Sequence, residues 1–187
     1  MMRLRFPAIF TVLMAAMIVL AFEGTAARAE KAATIERHSR EALALLLQQS
    51  EAAKRLADDA SGILVFPKIV KGGLIVGGQY GEGALFKSDD VAGYYSTASA
   101  SFGLQAGLQT FGYAIFFLND DGLKFLDNSD GWEIGTAPNV VLVDKGAGAS
   151  LTTTSGRGNI YVFFFDQKGL MAGVTVEGTK ITTINPD

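Results

Sequence analysis

The sequence predicts an α+β fold in which N-terminal amphipathic helices pack on a glycine-rich, curved antiparallel sheet, either barrel-like or a sandwich. Residues 30–60 have helical periodicity, whereas residues 61–187 alternate β-branched and aromatic runs with turns. The chain also has 22 glycines, which suit strongly bent strands with closely packed backbones. Because strands and helices do not alternate, a doubly wound parallel sheet is not expected. We therefore expect a single domain over residues 30–187.

The first 29 residues have the organisation of an export signal. Arg3 and Arg5 precede an apolar run from Phe6 to Phe22, and Ala27-Arg28-Ala29 supplies the small residues of a cleavage site. We expect cleavage after Ala29 and a periplasmic or secreted protein. An uncleaved N-terminal membrane anchor is the alternative, because the run approaches the ~17 residues of a short transmembrane helix.

The helical segment divides into two predicted helices. Apolar Ile35, Leu43 and Leu46 recur at helical spacing among charged residues. Ser50 interrupts this pattern and predicts an N-cap for a second helix that begins at Glu51. An amphipathic helix of this kind either packs on the domain core or lies on a membrane surface.

The β-rich body is predicted from its β-branched and aromatic residues. The first strand is expected to end at Pro67, which cannot donate a hydrogen bond to a neighbouring strand. A turn at Asn119–Gly122 is expected to lead into one helical turn that ends near Leu126. The expected β runs are Ile63–Phe66, Leu74–Phe86, Ala92–Leu108, Tyr113–Leu118, Val140–Val143, Ala147–Thr154, Ile160–Phe165, Leu170–Val176 and Ile181–Ile184.

Composition excludes several classes of function. The formal net charge is −3 for the whole chain, and about −5 beyond the predicted signal, which holds three arginines and one glutamate. This acidic balance argues against nucleic acid as a partner. The absence of cysteine excludes disulfides, thiolate metal sites and a cysteine nucleophile. His38 is the single histidine, which argues against a Ser-His-Asp triad and a multi-histidine metal site. No cofactor and no metal are expected.

Three motifs are better explained by structure than by ligand binding. Gly78–Gly83 is rich in glycine but lacks the Gly-Lys-Ser/Thr of a phosphate loop, so strand glycines explain it better. Asn119–Gly122 and Asp127–Gly131 carry oxygen ligands, yet neither has the spacing of a calcium loop with its closing glutamate. Turn chemistry accounts for both segments.

Three cationic side chains are candidates for contact with a lipid head group. Lys68 and Lys71 flank Ile69-Val70 just before Gly72-Gly73, and each would contribute about 1 kcal/mol at an anionic membrane. Arg157 lies in the flexible stretch Ser155-Gly156-Arg157-Gly158. The alternatives are two solvated loop lysines and an exposed arginine in a hairpin turn.

The order and spacing of five segments, several of them rich in glycine, resemble the SYLF domain family from about Ala52 to Ile184. The segments are Gly62–Lys68, Lys71–Gly78, Tyr80–Gly83, Ser101–Gly107 and Lys168–Gly178.

This resemblance implies a lipid-binding module. Eukaryotic members bind phosphoinositides, including phosphatidylinositol derivatives, and some bind actin; bacterial members are exported relatives. Arg157 matches a position where relatives often have arginine. Asp166 departs from the family, because many relatives carry serine and arginine in this segment. Neither actin nor a phosphoinositide is an expected partner for an exported bacterial chain.

We therefore expect an exported, non-enzymatic domain of the bacterial cell envelope that binds an anionic or mixed phospholipid surface. A structural or protein-interaction module with an envelope protein as its partner is the first alternative. An enzyme is the second, with Asp120 and Asp121, or Glu82 and Glu177, as its carboxylate pair. A buried carboxylate with a strongly raised pKa would favour the enzyme, whereas an exposed apolar rim beside the lysines would favour lipid.

Overall fold

The computed structural model describes residues 32–73, 76–102, 107–127, 132–133, 140–143, 159–169 and 179–186. Four of the expected features lie outside these ranges: the export signal, the β runs Ala147–Thr154 and Leu170–Val176, and the turn that carries Arg157. The helices are α1 (Ala32–Gln49), α2 (Glu51–Asp59) and α3 (Asp120–Asp127). The strands are β1 (Gly62–Gly73), β2 (Val76–Lys87), β3 (Asp90–Phe102), β4 (Gly107–Phe117), β5 (Trp132–Glu133), β6 (Val140–Val143), β7 (Ile160–Gly169) and β8 (Lys180–Ile184).

The helices begin where side chains can cap them. Ser50 has extended backbone geometry, and its hydroxyl accepts a hydrogen bond from the Ala53 amide at 3.2 Å. This confirms the predicted break between α1 and α2. The Asn119 side chain accepts a hydrogen bond from the Gly122 amide at 2.9 Å, so the same chemistry starts α3, a full helix rather than a single turn.

The described strands form one sheet in the order β5-β8-β3-β2-β1-β4-β7-β6. Neighbouring strands are antiparallel except β6 and β7, which are parallel. The sheet is open, with β5 and β6 at its two edges. The α+β class with helices on an antiparallel sheet is thereby confirmed, although the described strands do not close into a barrel.

Pro67 does not end the first strand, contrary to the expectation from sequence. β1 continues through it to Gly73, although it lies between β2 and β4. The register shifts against both neighbours, between Val65 and Lys68 on one side and between Phe66 and Ile69 on the other. A bulge removes Pro67 from the hydrogen-bond ladder, which is how a central strand tolerates a residue without an N–H group.

Two apolar layers lie on opposite faces of the sheet, because successive strand residues alternate between faces. We name the faces by what covers them. The helix face packs against α1, where the buried Ser39 hydroxyl donates a hydrogen bond to the Val65 carbonyl at 3.2 Å. The inner face holds the second layer. The helix-face layer is formed mainly by Ile35, Leu46, Val65, Ala84, Ala114, Phe116 and Phe163. The inner-face layer includes Leu64, Phe66, Ile69, Phe111, Tyr113, Ile115, Phe117 and Val162.

The close backbone packing expected from the glycines is present at Gly81. A Cβ atom there would lie 2.7 Å from Ile69 Cγ1 and 2.8 Å from the Lys68 carbonyl oxygen. Both distances are shorter than ordinary carbon contacts. Gly81 is also the strand partner of Ile69. Its missing side chain therefore lets β1 curl over β2 immediately after the Pro67 bulge.

Candidate functional site

Lys68 and Lys71, the two predicted head-group cations, lie on opposite faces of β1. An interval of three residues within a strand reverses the face. Lys68 is exposed on the helix face, whereas Lys71 is only 4% exposed and lies on the inner face, two residues beyond the buried Ile69. Both lysines were selected from the sequence as head-group candidates that flank Ile69-Val70, and the expected strand end at Pro67 left their faces unassigned.

A different set of side chains, which we call the transverse row, crosses the helix face. It runs over six neighbouring strands, from β8 to β7, and each member is the strand partner of the next. Lysines stand at its two ends, while apolar groups and a threonine fill the centre. The members in order are Lys180, Ala98, Tyr80, Val70, Thr110 and Lys168.

The centre of the transverse row is an exposed apolar surface. Val70 is 43% exposed and Tyr80 is 40% exposed. Leu108 is 63% exposed, and it extends the surface because its side chain lies over Gly72, at 3.3 Å from the position of a Cβ there. We call Val70, Tyr80 and Leu108 the apolar patch. Contiguous apolar groups rimmed by charge mark an interaction surface more often than isolated exposed residues do.

A hydrogen bond fixes the tyrosine of this patch. The Tyr80 hydroxyl donates to Glu82 Oε1 at 2.6 Å, and Glu82 is only 8% exposed. Burial raises the pKa of Tyr80 to about 12, and the hydrogen bond and negative charge of Glu82 act in the same direction. The phenol therefore stays neutral at physiological pH and holds its ring in the sheet surface beside Val70.

The cations around the patch differ in their surroundings. Lys168 makes an exposed ion pair with Asp166 at 2.8 Å. Asp166 occupies the left-handed region with φ 51°, which aspartate tolerates better than most residues. Asp166, the acidic residue that departs from the family pattern, therefore has Lys168 as its ion-pair partner. Lys68 and Lys180 are exposed on the same face.

Lys71 belongs to a second arrangement, which we call the polar row. It is the strand partner of both Gln79 and Gln109, and these glutamines are 6% and 4% exposed. Gln79 Nε2 donates to Thr179 Oγ1 at 3.1 Å. The side-chain oxygens of both glutamines have no hydrogen-bond partner among the described residues. An unpaired buried polar group costs about 1–3 kcal/mol of folding free energy, so the two glutamine oxygens of this row destabilise the fold.

The carboxylate pair Asp120 and Asp121 does not have the properties of an acid–base site. Both side chains are exposed at the start of α3. Asp121 accepts a hydrogen bond from Lys124 Nζ at 2.7 Å, and this bond and the lysine charge lower the pKa of the Asp121 carboxyl. The other pair includes Glu177, which lies outside the described residues.

Residues 98–186 match the Ysc84 family model, described as "Las17-binding protein actin regulator". Over this segment the chain is similar to the SYLF family. The resemblance drawn from the glycine-rich segments is confirmed. SYLF domains form a family of binding domains, and the match supports a binding module in this chain. No match was found among the curated proteins.

The SYLF segment begins inside β3, at Ala98 of the transverse row, and contains Leu108, Gln109, Lys168 and Lys180. None of these four residues stands out as a site residue from the sequence alone. Alternation within each strand could have suggested which residues share a face. Only the register between strands brings Lys180 and Lys168 into line with Val70. Within the described residues, no helix combines the length and apolarity needed to cross a membrane.

Proposed function

We propose that this chain is an exported, non-enzymatic domain of the bacterial cell envelope that binds a phospholipid surface through its helix face. The observation that carries the proposal is the transverse row. Apolar side chains stand exposed at its centre and lysines stand at both ends. This pattern combines the two forces that hold a protein at a membrane surface, apolar burial and attraction to anionic head groups.

The magnitudes favour the apolar patch as the larger contribution. Burying apolar area contributes about 25 cal/mol per Å², so three partly exposed side chains contribute a few kcal/mol. Each nearby lysine adds about 1 kcal/mol at an anionic surface. Because the chain is acidic overall, attraction depends on where Lys68, Lys168 and Lys180 lie rather than on total charge.

Export is part of the proposal and rests on the n-region, apolar run and Ala27-Arg28-Ala29 site of the sequence. Intact-mass measurement on protein from its native host tests it directly. We expect an N-terminus at Glu30 and a location in the periplasm or medium. A form that begins at Met1 and sediments with membranes would overturn cleavage and support the anchor.

Liposome co-sedimentation tests the lipid proposal. Wild-type protein should sediment with vesicles of phosphatidylcholine and phosphatidylglycerol. Leu108→Asp should lose most of this binding, because it places a charge in the apolar patch. Leu45→Asp is the matched control, since Leu45 is 55% exposed but lies on α1. Failure of the wild type to sediment with vesicles of any composition would overturn the proposal.

A protein partner on the same helix face is the second candidate. The family description names Las17 binding and actin regulation, which motivates a cytoskeletal type of partner in relatives and an envelope protein here. Co-sedimentation with filamentous actin distinguishes a protein partner of this type from a lipid surface. We expect no actin binding by the wild type; binding that is lost in Leu108→Asp, without binding to vesicles, would favour the protein partner.

A further inference from the structure

We infer that the polar row on the inner face is a binding site for a small organic anion that carries hydroxyl groups. Nothing in this inference depends on the membrane proposal, because the row and the apolar patch lie on opposite faces of the sheet. Three long polar side chains stand next to one another on adjacent strands, which are about 4.8 Å apart. They are Gln79 on β2, Lys71 on β1 and Gln109 on β4.

The unpaired atoms define what the ligand must offer. Gln79 and Gln109 each leave a buried oxygen without a partner in the described part of the chain. Turning the Gln79 amide over would exchange its ends but would still leave one of them unpaired. Native proteins rarely retain such groups without a role. Two free carbonyl oxygens call for hydroxyl donors, and the Lys71 ammonium between them calls for an anion.

The backbone beside the row supplies a surface without side chains. Gly73 is the strand partner of both Gly77 and Gly107. Each of these glycines lies two residues along its strand from a member of the polar row, and therefore on the same face. All three are half-buried. These three positions contribute no Cβ atom to the inner face beside the row.

On the side of the polar row that faces the domain interior, the neighbouring groups are either apolar or already hydrogen-bonded. Ile69 and Phe111 lie two residues along their strands from Lys71 and Gln109, towards the domain interior, and are buried. The neighbouring hydroxyls of Thr97 and Tyr113 are already paired with each other at 2.7 Å. The ligand is thus held by polar contacts at one end and is bounded by apolar packing, an arrangement common to small-molecule sites.

Two classes of small molecule carry both hydroxyl groups and a negative charge: hydroxylated carboxylates, such as sugar acids, and phosphorylated polyols. Titration calorimetry on the mature domain distinguishes them with D-gluconate and sn-glycerol 3-phosphate as probes, and with D-glucose as a neutral control. We expect one of the two anions to bind and glucose to bind at least tenfold more weakly. Lys71→Met and Gln109→Leu should each reduce the affinity at least tenfold.

Melting temperature provides a readout that separates binding from folding. Burial of the Lys71 ammonium and of the unpaired Gln109 oxygen costs desolvation energy, so Lys71→Met and Gln109→Leu should melt at or above the wild-type temperature without ligand. Lys68→Met, on the opposite face, is the matched control and should keep wild-type affinity. Vesicle binding by Lys71→Met should also be unchanged, which distinguishes this site from the apolar patch. Binding of neither anion to the wild type, or affinity that survives both row substitutions, would overturn the inference.

Discussion

The Tyr113 hydroxyl donates a hydrogen bond of 2.7 Å to Thr97 Oγ1, although two strands separate β4 from β3 in the sheet. In a flat sheet these strands would lie roughly 14 Å apart. The bond therefore requires the sheet to coil towards its inner face. Gly81, the strand partner of Thr97, has no side chain to obstruct the ring. Both bonded residues are buried, at 1% and 0% exposure.

Removing this bond should destabilise the fold. Tyr113→Phe leaves the Thr97 hydroxyl buried without its donor, so the free energy of unfolding should fall by about 1–2 kcal/mol. Thr97→Val should have a similar effect. The double variant should lose less than the sum of the two, because it leaves no unpaired hydroxyl. Urea unfolding of the four proteins measures this, and strictly additive losses would contradict a direct bond.

Stability should also fall in alkaline solution because of Tyr113. Burial raises the pKa of Tyr113 far above its ordinary value, and the Thr97 hydrogen bond only partly opposes this. Below about pH 10 both folded and unfolded states hold the proton. Above it the unfolded chain releases the proton while the folded state keeps it, so stability decreases as pH rises. Unfolding curves between about pH 9 and 11 should be less steeply pH-dependent in Tyr113→Phe than in the wild type.

Gly81 should tolerate replacement less well than Gly78, another glycine of β2. Gly81→Ala forces a Cβ against Ile69 and the Lys68 carbonyl, and the backbone oxygen cannot move aside cheaply. We expect a loss of about 1–3 kcal/mol, the usual cost of overpacking. Gly78→Ala is the matched control, because its Cβ would meet only the Ser99 carbonyl, at 3.3 Å. Equal melting temperatures for the two variants would contradict close packing at Gly81.

The cap of α2 gives a local prediction. Ser50→Ala removes the acceptor for the Ala53 amide and should cost about 1 kcal/mol. Ser50→Asp keeps an acceptor at the same place and should retain wild-type stability. Thermal unfolding followed by circular dichroism measures both variants. A loss of equal size in both would indicate that the hydroxyl, rather than the cap, determines stability.

Charge reversal on the helix face should weaken vesicle binding without unfolding the protein. Lys68 and Lys180 are exposed, so the double change to glutamate should leave stability within about 0.5 kcal/mol of the wild type. Binding to anionic vesicles should drop, and the difference should shrink in high salt, because exposed charges are screened beyond ~8 Å at physiological ionic strength and at shorter distances in more salt. Lys54 and Lys87, also exposed but away from the patch, give a control of equal charge when changed to glutamate. Equal binding by the two double variants would rule out a local role for the lysines.

Much of the fold followed from local chemistry. The apolar spacing of α1 and the hydroxyl of Ser50 are properties of adjacent residues, so the first two helices and their break were predictable. The continuation of β1 through Pro67 was not predictable, because the bulge that accommodates the proline depends on simultaneous shifts against β2 and β4. A single sequence contains no information on how three strands adjust together.

The candidate sites show the same division. Lys68 and Val70 could be singled out from the sequence, since charge and hydrophobicity are visible residue by residue, and both lie on the helix face. The inward position of Lys71 was missed, because a premature strand end removed the alternation that determines its face. Lys168 and Lys180 were missed as well, because they approach the patch only through pairing with Thr110 and Ala98.

The sequence by itself determined the α+β class, the helix break at Ser50 and the family resemblance, since each depends on the type and spacing of neighbouring residues. Only the tertiary structure decided which lysines share a surface and which glutamines meet beside Lys71. The physical reason is the register of the sheet. Hydrogen bonding between strands that are distant in sequence fixes which side chains become neighbours, and strand alternation then assigns each one to the helix face or the inner face.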